Sequence, residues 1–511
     1  MFDANRERLV LGVVGAGLMG RGIAQIAALA GIDVLLFDTR AEAAAEAPAA
    51  VGQMLTTLAA KGKLAADAAA RASARIVAAD ELSAFSGCHL VVEAIVEKLD
   101  AKRGLFQQLE AVVADDCVLA TNTSSLSVTD IAAACRVPGR VGGFHFFSPV
   151  PLMKVVEVID GVLSDARVGD ALIALARRMG HTPVRAKDTP GFIVNHAGRG
   201  LLTEGLRIVG EGIADFAQVD RVLRGAAGFR LGPFELLDLT GLDVSQPVME
   251  SIYNQYYQEP RYRPSPIARQ RLAAGLLGRK SGRGFYTYAD GAAVPPQAEE
   301  GGANVASAAA LAPIWVSRRD AAARAQVLGL LAAAGAPIDD GERPHAESVC
   351  LVLPLGQDAT AAALAEGLDP RRTLALDPLF AGGHLTLMTT PITDPAARDA
   401  ARAAFAAAGA PLSVIHDSPG FVAQRVVAMI VNIGCDIAQQ RIATPADIDR
   451  AVTLGLGYPK GPLAMGDALG ATTVLSILEA LHDFYRDPRY RPSPWLIRRA
   501  RLGVSLLTPE S

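Results

Sequence analysis

Apolar and polar positions change their period several times along this chain. Short apolar runs stand at Leu9–Val14, Asp33–Phe37, Leu90–Ile95, Val118–Ala120, Val141–Phe147 and Lys154–Ile159. Compact runs of this kind predict strands buried on both faces of a sheet. Between them lie stretches of helical period: Leu18–Ala30, an Ala-rich stretch near Glu42–Lys61, and Lys98–Val113. Strand and helix in alternation predict an α/β domain, a parallel sheet wound on both faces by helices, over 1–186. After Lys187 the strand signal fades and helical period dominates to about Tyr288, which predicts an all-α domain over 187–289. Ala289–Ala312 is rich in Ala, Gly and Pro and reads as a linker, 290–313. An α/β pattern returns over 314–412, and a helical one over 413–511.

The second helical stretch repeats the first. Asp188-Thr189-Pro190-Gly191-Phe192 returns 229 positions later as Asp417-Ser418-Pro419-Gly420-Phe421. At the same offset Asp220-Arg221 matches Asp449-Arg450, Gly232-Pro233 matches Gly461-Pro462, and Gly241 matches Gly470. Pro260 to Pro266 recurs as Pro488 to Pro494, offset by 228. The helical domain is therefore present twice.

The first strand runs into Gly15-Ala16-Gly17-Leu18-Met19-Gly20, and a helix opens there. In that context the spacing is a dinucleotide-binding loop of Rossmann type. Gly15 permits the tight turn, Gly17 lets the backbone approach a pyrophosphate, and Gly20 lets helix and strand pack closely. The helix start offers unpaired N–H groups and a partial positive charge to the phosphates. Asp38 ends the second strand, where a carboxylate accepts hydrogen bonds from the adenine ribose and repels the extra phosphate of NADP. NAD is the expected cofactor, with Arg40 as a complication, because an arginine there can accommodate that phosphate. The α/β segment of the second half has Ser317-Arg318-Arg319-Asp320 where the glycines would stand. It reads as a degenerate Rossmann-like domain kept for packing, without a second dinucleotide site.

Three polar residues stand where packing alone does not call for them: His145 among aromatics, Glu157 among valines, and Asn195 at a helix entry. A histidine in an apolar strand is commonly a satisfied core residue. An unpaired carboxylate buried between valines is costly and needs a reason. If Ser148–Met153 is a turn that folds its flanking strands antiparallel about Pro151, His145 falls opposite Glu157 on one face of the sheet. Such a pair suits alcohol oxidation, in which a hydroxyl proton leaves as hydride is transferred. Histidine can take that proton near neutral pH, and a carboxylate on its other nitrogen fixes the tautomer and stabilises the imidazolium.

Composition narrows the partners. Net charge is −4 without blocks of one sign, which disfavours nucleic acid or an anionic membrane surface. No run approaches the roughly 18 apolar residues of a membrane span. Five scattered cysteines with no C-x-x-C pair (Cys88, Cys117, Cys135, Cys350, Cys435) argue for a reducing compartment and against a zinc site. A cytoplasmic protein is expected.

GAGLMGRGIAQIAALAG, VVEAIVEKLDAK, TNTSSLS, FHFFSPVPLMKVVEVI, DTPGFIVN and LGPFELLDLTGLD together resemble the L-3-hydroxyacyl-CoA dehydrogenases, over roughly Leu9 to Tyr288 with the helical part again after Asp417. The resemblance implies oxidation of an L-3-hydroxyacyl-CoA to the 3-oxoacyl-CoA, as in fatty acid β-oxidation. It implies His145 as base, Glu157 as its partner, and Ser124 and Asn195 as hydrogen-bond donors to the reacting oxygens. It further implies NAD contacts from the loop, including Leu18 and Met19, and from Glu93, Lys98 and Lys280, with coenzyme A contacts near Thr56, Lys61 and Lys63. The two-copy layout looks like the enzymes of phenylacetate degradation that act on 3-hydroxyadipyl-CoA, with 3-hydroxybutyryl-CoA as the close competitor. Arg199 is a candidate partner for the far carboxylate of a dicarboxylic acyl chain. Gln424 replaces Asn195 in the second copy, so one active site per chain is expected. In the family the helical domain builds a dimer interface. Two copies allow either a homodimer or a monomer with an internal pseudo-dimer. The rival reading is a structural or CoA-binding relative without turnover.

Overall fold

Eight strands form the first sheet of the protein, whose computed structural model describes residues 3–294, 312–407 and 409–510. In chain order they are β1 (Val10–Val14), β2 (Asp33–Phe37), β3 (Ile76–Ala78), β4 (Leu90–Glu93), β5 (Val118–Thr121), β6 (Val141–Phe146), β7 (Val155–Asp160) and β8 (Thr182–Lys187). Across the sheet the order is β3-β2-β1-β4-β5-β6-β7-β8. All neighbours are parallel except β6 and β7. The apolar runs are central strands: Val13, Leu36, Val92, Val118, Phe144 and Val156 have no exposed surface. Burial of each such side chain contributes about 1.5–3 kcal/mol before chain entropy is counted. The sequence pattern missed both edge strands, β3 and β8. An edge strand needs only one apolar neighbour per face, and Pro183, Arg185 and Lys187 disguise β8.

The chain steps outward from β1 in both directions, first to β2 and later to β4. The carboxyl ends of β1 and β4 therefore bound a crevice at a topological switch point, where ligands of such sheets bind. Helix Leu18–Leu29 starts at that crevice, and helix Ala41–Ala60 follows β2.

A second, six-stranded sheet runs Ile338–Asp339, Ile314–Val316, Val349–Val352, Thr373–Leu376, Leu385–Thr389, Leu412–Ile415. It too has one antiparallel pair, Thr373–Leu376 with Leu385–Thr389, followed by a parallel neighbour. The α/β Rossmann-type architecture with helical partners is thus present in both halves. Of the stretch read as a linker, Ala292–Ala293 pairs with Tyr288–Ala289, while 295–311 lies outside the described residues.

The repeated motifs fall at helix punctuation, which explains why they recur. Asp188 accepts from the N–H groups of Val128 and Thr129 at the start of helix Val128–Ala132. Asp417 likewise accepts from Ala359 N–H at the start of helix Ala359–Ala365. Gly232-Pro233 and Gly461-Pro462 each place proline at the first position of a helix, where its missing N–H is harmless. Gly241 and Gly470 break two consecutive helices at φ of 87° and 89°, a region that favours glycine.

The described chain forms two compact units. One runs to His196 and takes in Ile437–Gly457; the other holds Ala197–Asp436 and Tyr458–Thr508. These units cut across the segment boundaries at 186, 289 and 412 expected from the sequence. Within the second unit the two helical copies pack directly on each other. Helix Arg199–Gly210 approaches helix Val422–Gln439 so closely that a Cβ on Gly200 would lie 2.9 Å from Ile430 Cα. Arg425, fully buried, meets the buried Glu204 at 2.8 Å and Glu211 at 3.0 Å. Arg489 bonds Glu204 at 3.2 Å, and Arg261, its counterpart in the repeat, pairs with Asp436. These contacts join the two helical copies within one chain. No single helix among the described residues is long and apolar enough to cross a membrane, and none of the five cysteines forms a disulfide.

Candidate active site

The three glycines of the loop differ in what surrounds them. Gly15 has φ of 107°, and a Cβ there would stand 2.5 Å from Ala94 O. A Cβ on Gly20 would meet Gly15 O at 1.8 Å, so only glycine lets the helix sit this close to β1. A Cβ on Gly17 meets nothing within 4 Å; it would project into open space at the helix start, where a pyrophosphate has to come close. Leu18 is exposed and Met19 is half-buried against the core. Beside the loop lies a cleft of about 720 Å³ lined by Gly15, Gly17, Asp38, Arg40, Ile95 and Asp100.

Asp38 faces this cleft as a fixed carboxylate. It accepts Ala16 N–H at 2.8 Å, Arg40 N–H at 2.9 Å and the Arg40 guanidinium at 3.2 Å. Burial acts to raise its carboxyl, but these bonds outweigh it and hold the group below the ordinary carboxylate range. Arg40, mostly exposed, is thereby drawn to Asp38. A donor-rich loop, open space beside Gly17 and an acid held ionised at the end of β2 fit NAD.

In the second half the corresponding place is filled by the protein itself. Asp320 accepts the N–H groups of Ala322 and Ala323, both at 2.9 Å, at the start of helix Ala321–Ala333. Ser317 bonds Glu366, and Arg318 bonds Asp340 O and Gly341 O.

The antiparallel register of β6 and β7 sets His145 directly opposite Glu157. Nδ1 of His145 lies 2.6 Å from Glu157 Oε2. The other carboxylate oxygen accepts Ile193 N–H at 2.9 Å and Val194 N–H at 2.8 Å. That turn bends through Phe192 at a φ of 48°, an uncommon conformation for a bulky residue that directs both N–H groups at Glu157. In the tautomer whose Nδ1–H donates to the Glu157 carboxylate, Nε2 is the ring nitrogen left as acceptor. Both residues are buried, and the imidazole lies 4.4 Å from the Phe147 ring and 5.8 Å from that of Phe192. Asn195, next along the same turn, reaches Ser124 O at 3.4 Å. His145, Glu157, Ser124 and Asn195 thus belong to one connected cluster.

Two residues the sequence reading passed over organise this cluster. Glu97 Oε1 accepts Ser124 N–H at 2.8 Å, Ser124 Oγ–H at 3.2 Å and Thr123 Oγ1–H at 2.7 Å. Burial acts to raise the Glu97 carboxyl, but the Lys102 ammonium and the donors around it hold it below the usual range. Lys102, almost fully buried, bridges Glu97 at 3.1 Å and Glu93 at 2.5 Å. Glu93, expected at the cofactor, is instead enclosed: it takes bonds from Lys102, Ile95 N–H and Thr121 Oγ1–H and has no exposed surface. Lys98 is an exposed residue at the N-terminus of helix Leu99–Glu110. The sequence carries no separate signal for this pair, because Glu93 and Lys98 stand at the same spacing as Glu97 and Lys102.

Lys280 belongs to the second unit, where it pairs with Asp243 at 2.5 Å. Thr56, Lys61 and Lys63 are exposed on and after helix Ala41–Ala60. Thr56 borders a cleft of about 420 Å³ shared with Ala66, Ala70 and Ser73. Arg199 is buried in the second unit near Tyr458.

The second half also holds counterparts of the dyad. Asp377 follows strand Thr373–Leu376 and donates its N–H to Thr386 O, continuing the register in which Leu376 faces Leu387. Thr386 pairs with Ser413, as Glu157 pairs with Val184 at the repeat offset of 229. Asp377 and Thr386 therefore stand where His145 and Glu157 stand. Gln424, in place of Asn195, closes the position by bonding Asp377, Pro354 O and Gly356 N–H.

A switch-point dinucleotide cleft and a histidine–carboxylate dyad carried on one sheet are the parts of a nicotinamide-dependent alcohol dehydrogenase. The chain belongs to the 3-hydroxyacyl-CoA dehydrogenase family. Residues 10–189 match that family's NAD binding domain, and residues 191–288 and 420–505 both match its C-terminal domain. The 3-hydroxyadipyl-CoA dehydrogenase of Escherichia coli K12 is 37% identical over 96% of this chain and 97% of its own length. A crystal structure of 3-hydroxybutyryl-CoA dehydrogenase from the same bacterium superimposes with a TM-score of 0.83 at 35% identity, covering 97% of this chain and 99% of that one. A shorter relative, a probable 3-hydroxybutyryl-CoA dehydrogenase of Deinococcus radiodurans, is 41% identical over 54% of this chain and 99% of its own. The protein is an NAD-dependent oxidoreductase that converts 3-hydroxyacyl-CoA thioesters to their 3-oxoacyl forms. A relative without turnover is not favoured.

Proposed function

We propose that His145 is the base of this reaction and that Glu157 orients it, with Ser124 and Asn195 holding the reacting oxygens. The carrying observation is the 2.6 Å contact between Nδ1 and the carboxylate, which reserves Nε2 for the substrate hydroxyl. As the C3 hydroxyl loses its proton to Nε2, Glu157 stabilises the imidazolium. NAD, when bound, supplies the acceptor for the C3 hydride. Glu97 fixes Ser124 by accepting from its main-chain N–H and from its hydroxyl, so the position of that hydroxyl is set before substrate arrives and its oxygen is left to accept. On this reading residues up to 186 hold the cofactor and the dyad, 314–412 is a packing domain, and 187–289 and 413–511 are paired helical copies. The helical pairing within the second unit supports a monomer with an internal pseudo-dimer.

The acyl chain is short, and 3-hydroxyadipyl-CoA and 3-hydroxybutyryl-CoA are the substrates to compare, since the two full-length likenesses carry those two names. Steady-state NADH formation from each thioester tests this. A kcat/KM at least about tenfold higher for one or both than for a long-chain 3-hydroxyacyl-CoA, as expected from roughly 1–3 kcal/mol of acyl-pocket discrimination, supports the reading. Preference for the long chain overturns it.

A further inference from the structure

Helix Pro445–Leu456 belongs to the second helical copy, yet it is part of the catalytic unit and packs on β7 and β8. Lys187 of β8 donates its N–H to Ile442 O, at 2.9 Å, just before that helix. At its far end Gly455 rests on Val155 and Val194. A Cβ on Gly455 would stand 2.9 and 3.0 Å from the two methyls of Val194 and 3.5 Å from Val155 Cγ1. Both valines lead to the dyad. Val155 lies two residues before Glu157 on the same face of β7, and Val194 donates one of the two N–H bonds that hold Glu157 Oε1. Asn195 follows Val194 directly.

The arrangement is reciprocal. In the other unit His416 donates its N–H to Ile213 O at 2.9 Å, and both residues of this pair are displaced by 229 from Lys187 and Ile442. Each helical copy thus braces the last strand of the other half's sheet. The first copy makes the matching close approach with Gly225, whose Cβ would stand 2.6 Å from His384 Cβ, and His384 is displaced by 229 from Val155.

We infer that the second helical copy positions the active site of the first half, with Gly455 as the positioning residue that seats Val194 and, through it, Glu157 and Asn195. This gives the second half a task that its sealed Asp377 position and occupied loop do not provide. The inference rests on the dyad reading, so His145→Gln is measured in parallel. If that variant turns over normally the dyad reading fails first, whatever happens at 455.

The test uses the full chain, with NADH formation, NAD binding by protein fluorescence and thermal unfolding. Gly455→Val is expected to lower kcat about 10- to 100-fold, more than it alters KM, with the Kd for NAD within about twofold of the parent. Val194→Ala in the same chain removes the methyls that the new side chain meets, and is expected to recover at least about tenfold of the loss. Should Gly455→Val not fold, Gly455→Ala replaces it with a loss of about 3- to 10-fold and the same rescue. A folded 455 variant with kcat within about twofold of the parent overturns the inference, as does a loss that Val194→Ala leaves untouched.

Discussion

Nδ1 of His145 and Oε2 of Glu157 lie 2.6 Å apart because β6 and β7 fold back on each other with these two residues in register. Glu157 cannot be replaced by an amide without loss. An amide has one oxygen, which can serve the imidazole or the N–H groups of Ile193 and Val194, but not both. Glu157→Gln should lower kcat about 100- to 1,000-fold, with the Kd for NAD nearly unchanged. Steady-state rates and NAD titration measure both, and a kcat near that of the parent would count against the dyad.

Asp38 holds the Arg40 guanidinium as well as facing the cleft. Asp38→Ser removes the charge that repels a 2′-phosphate and frees Arg40 to meet it. The ratio of kcat/KM for NAD over NADP should fall at least about tenfold, corresponding to about 1.4 kcal/mol or more. An unchanged ratio would show that discrimination lies elsewhere.

Asp377 is a buried carboxyl that burial pushes up to about 6, against hydrogen bonds from Gln424 and Leu379 N–H that pull the other way. The folded chain keeps this proton over a window, roughly pH 4 to 6, where the unfolded chain has lost it. Stability is therefore lost as pH rises through that window, by about 3 kcal/mol, and levels off above it. Asp377→Asn keeps the shape and does not titrate. Urea unfolding at both ends of the window should show the variant gaining on the parent as pH rises; parallel curves would contradict the assignment.

Much of the site was legible because its signals are local. A strand has a period of two, so a turn about Pro151 was enough to oppose His145 and Glu157. The glycine loop announces itself through close approaches that only hydrogen can fill. The repeat survived because Asp188, Gly232, Gly241 and their counterparts punctuate helices. The choice among Glu93, Glu97, Lys98 and Lys102 was not legible: two acids and two bases, each pair four positions apart, offer the same spacing, and burial decides which one turns inward. The edge strands hid behind the polar residues that edges carry. The brace at Gly455 joins positions about 260 residues apart in sequence, and a glycine gives no sign of what lies against it.

The most direct test of the account is the single-site variant His145→Gln, assayed for NADH formation with the better of the two short thioesters. The account predicts a kcat lower by about 100- to 10,000-fold, with the Kd for NAD unchanged because the cofactor cleft is intact. A folded His145→Gln enzyme with near-normal turnover would contradict it.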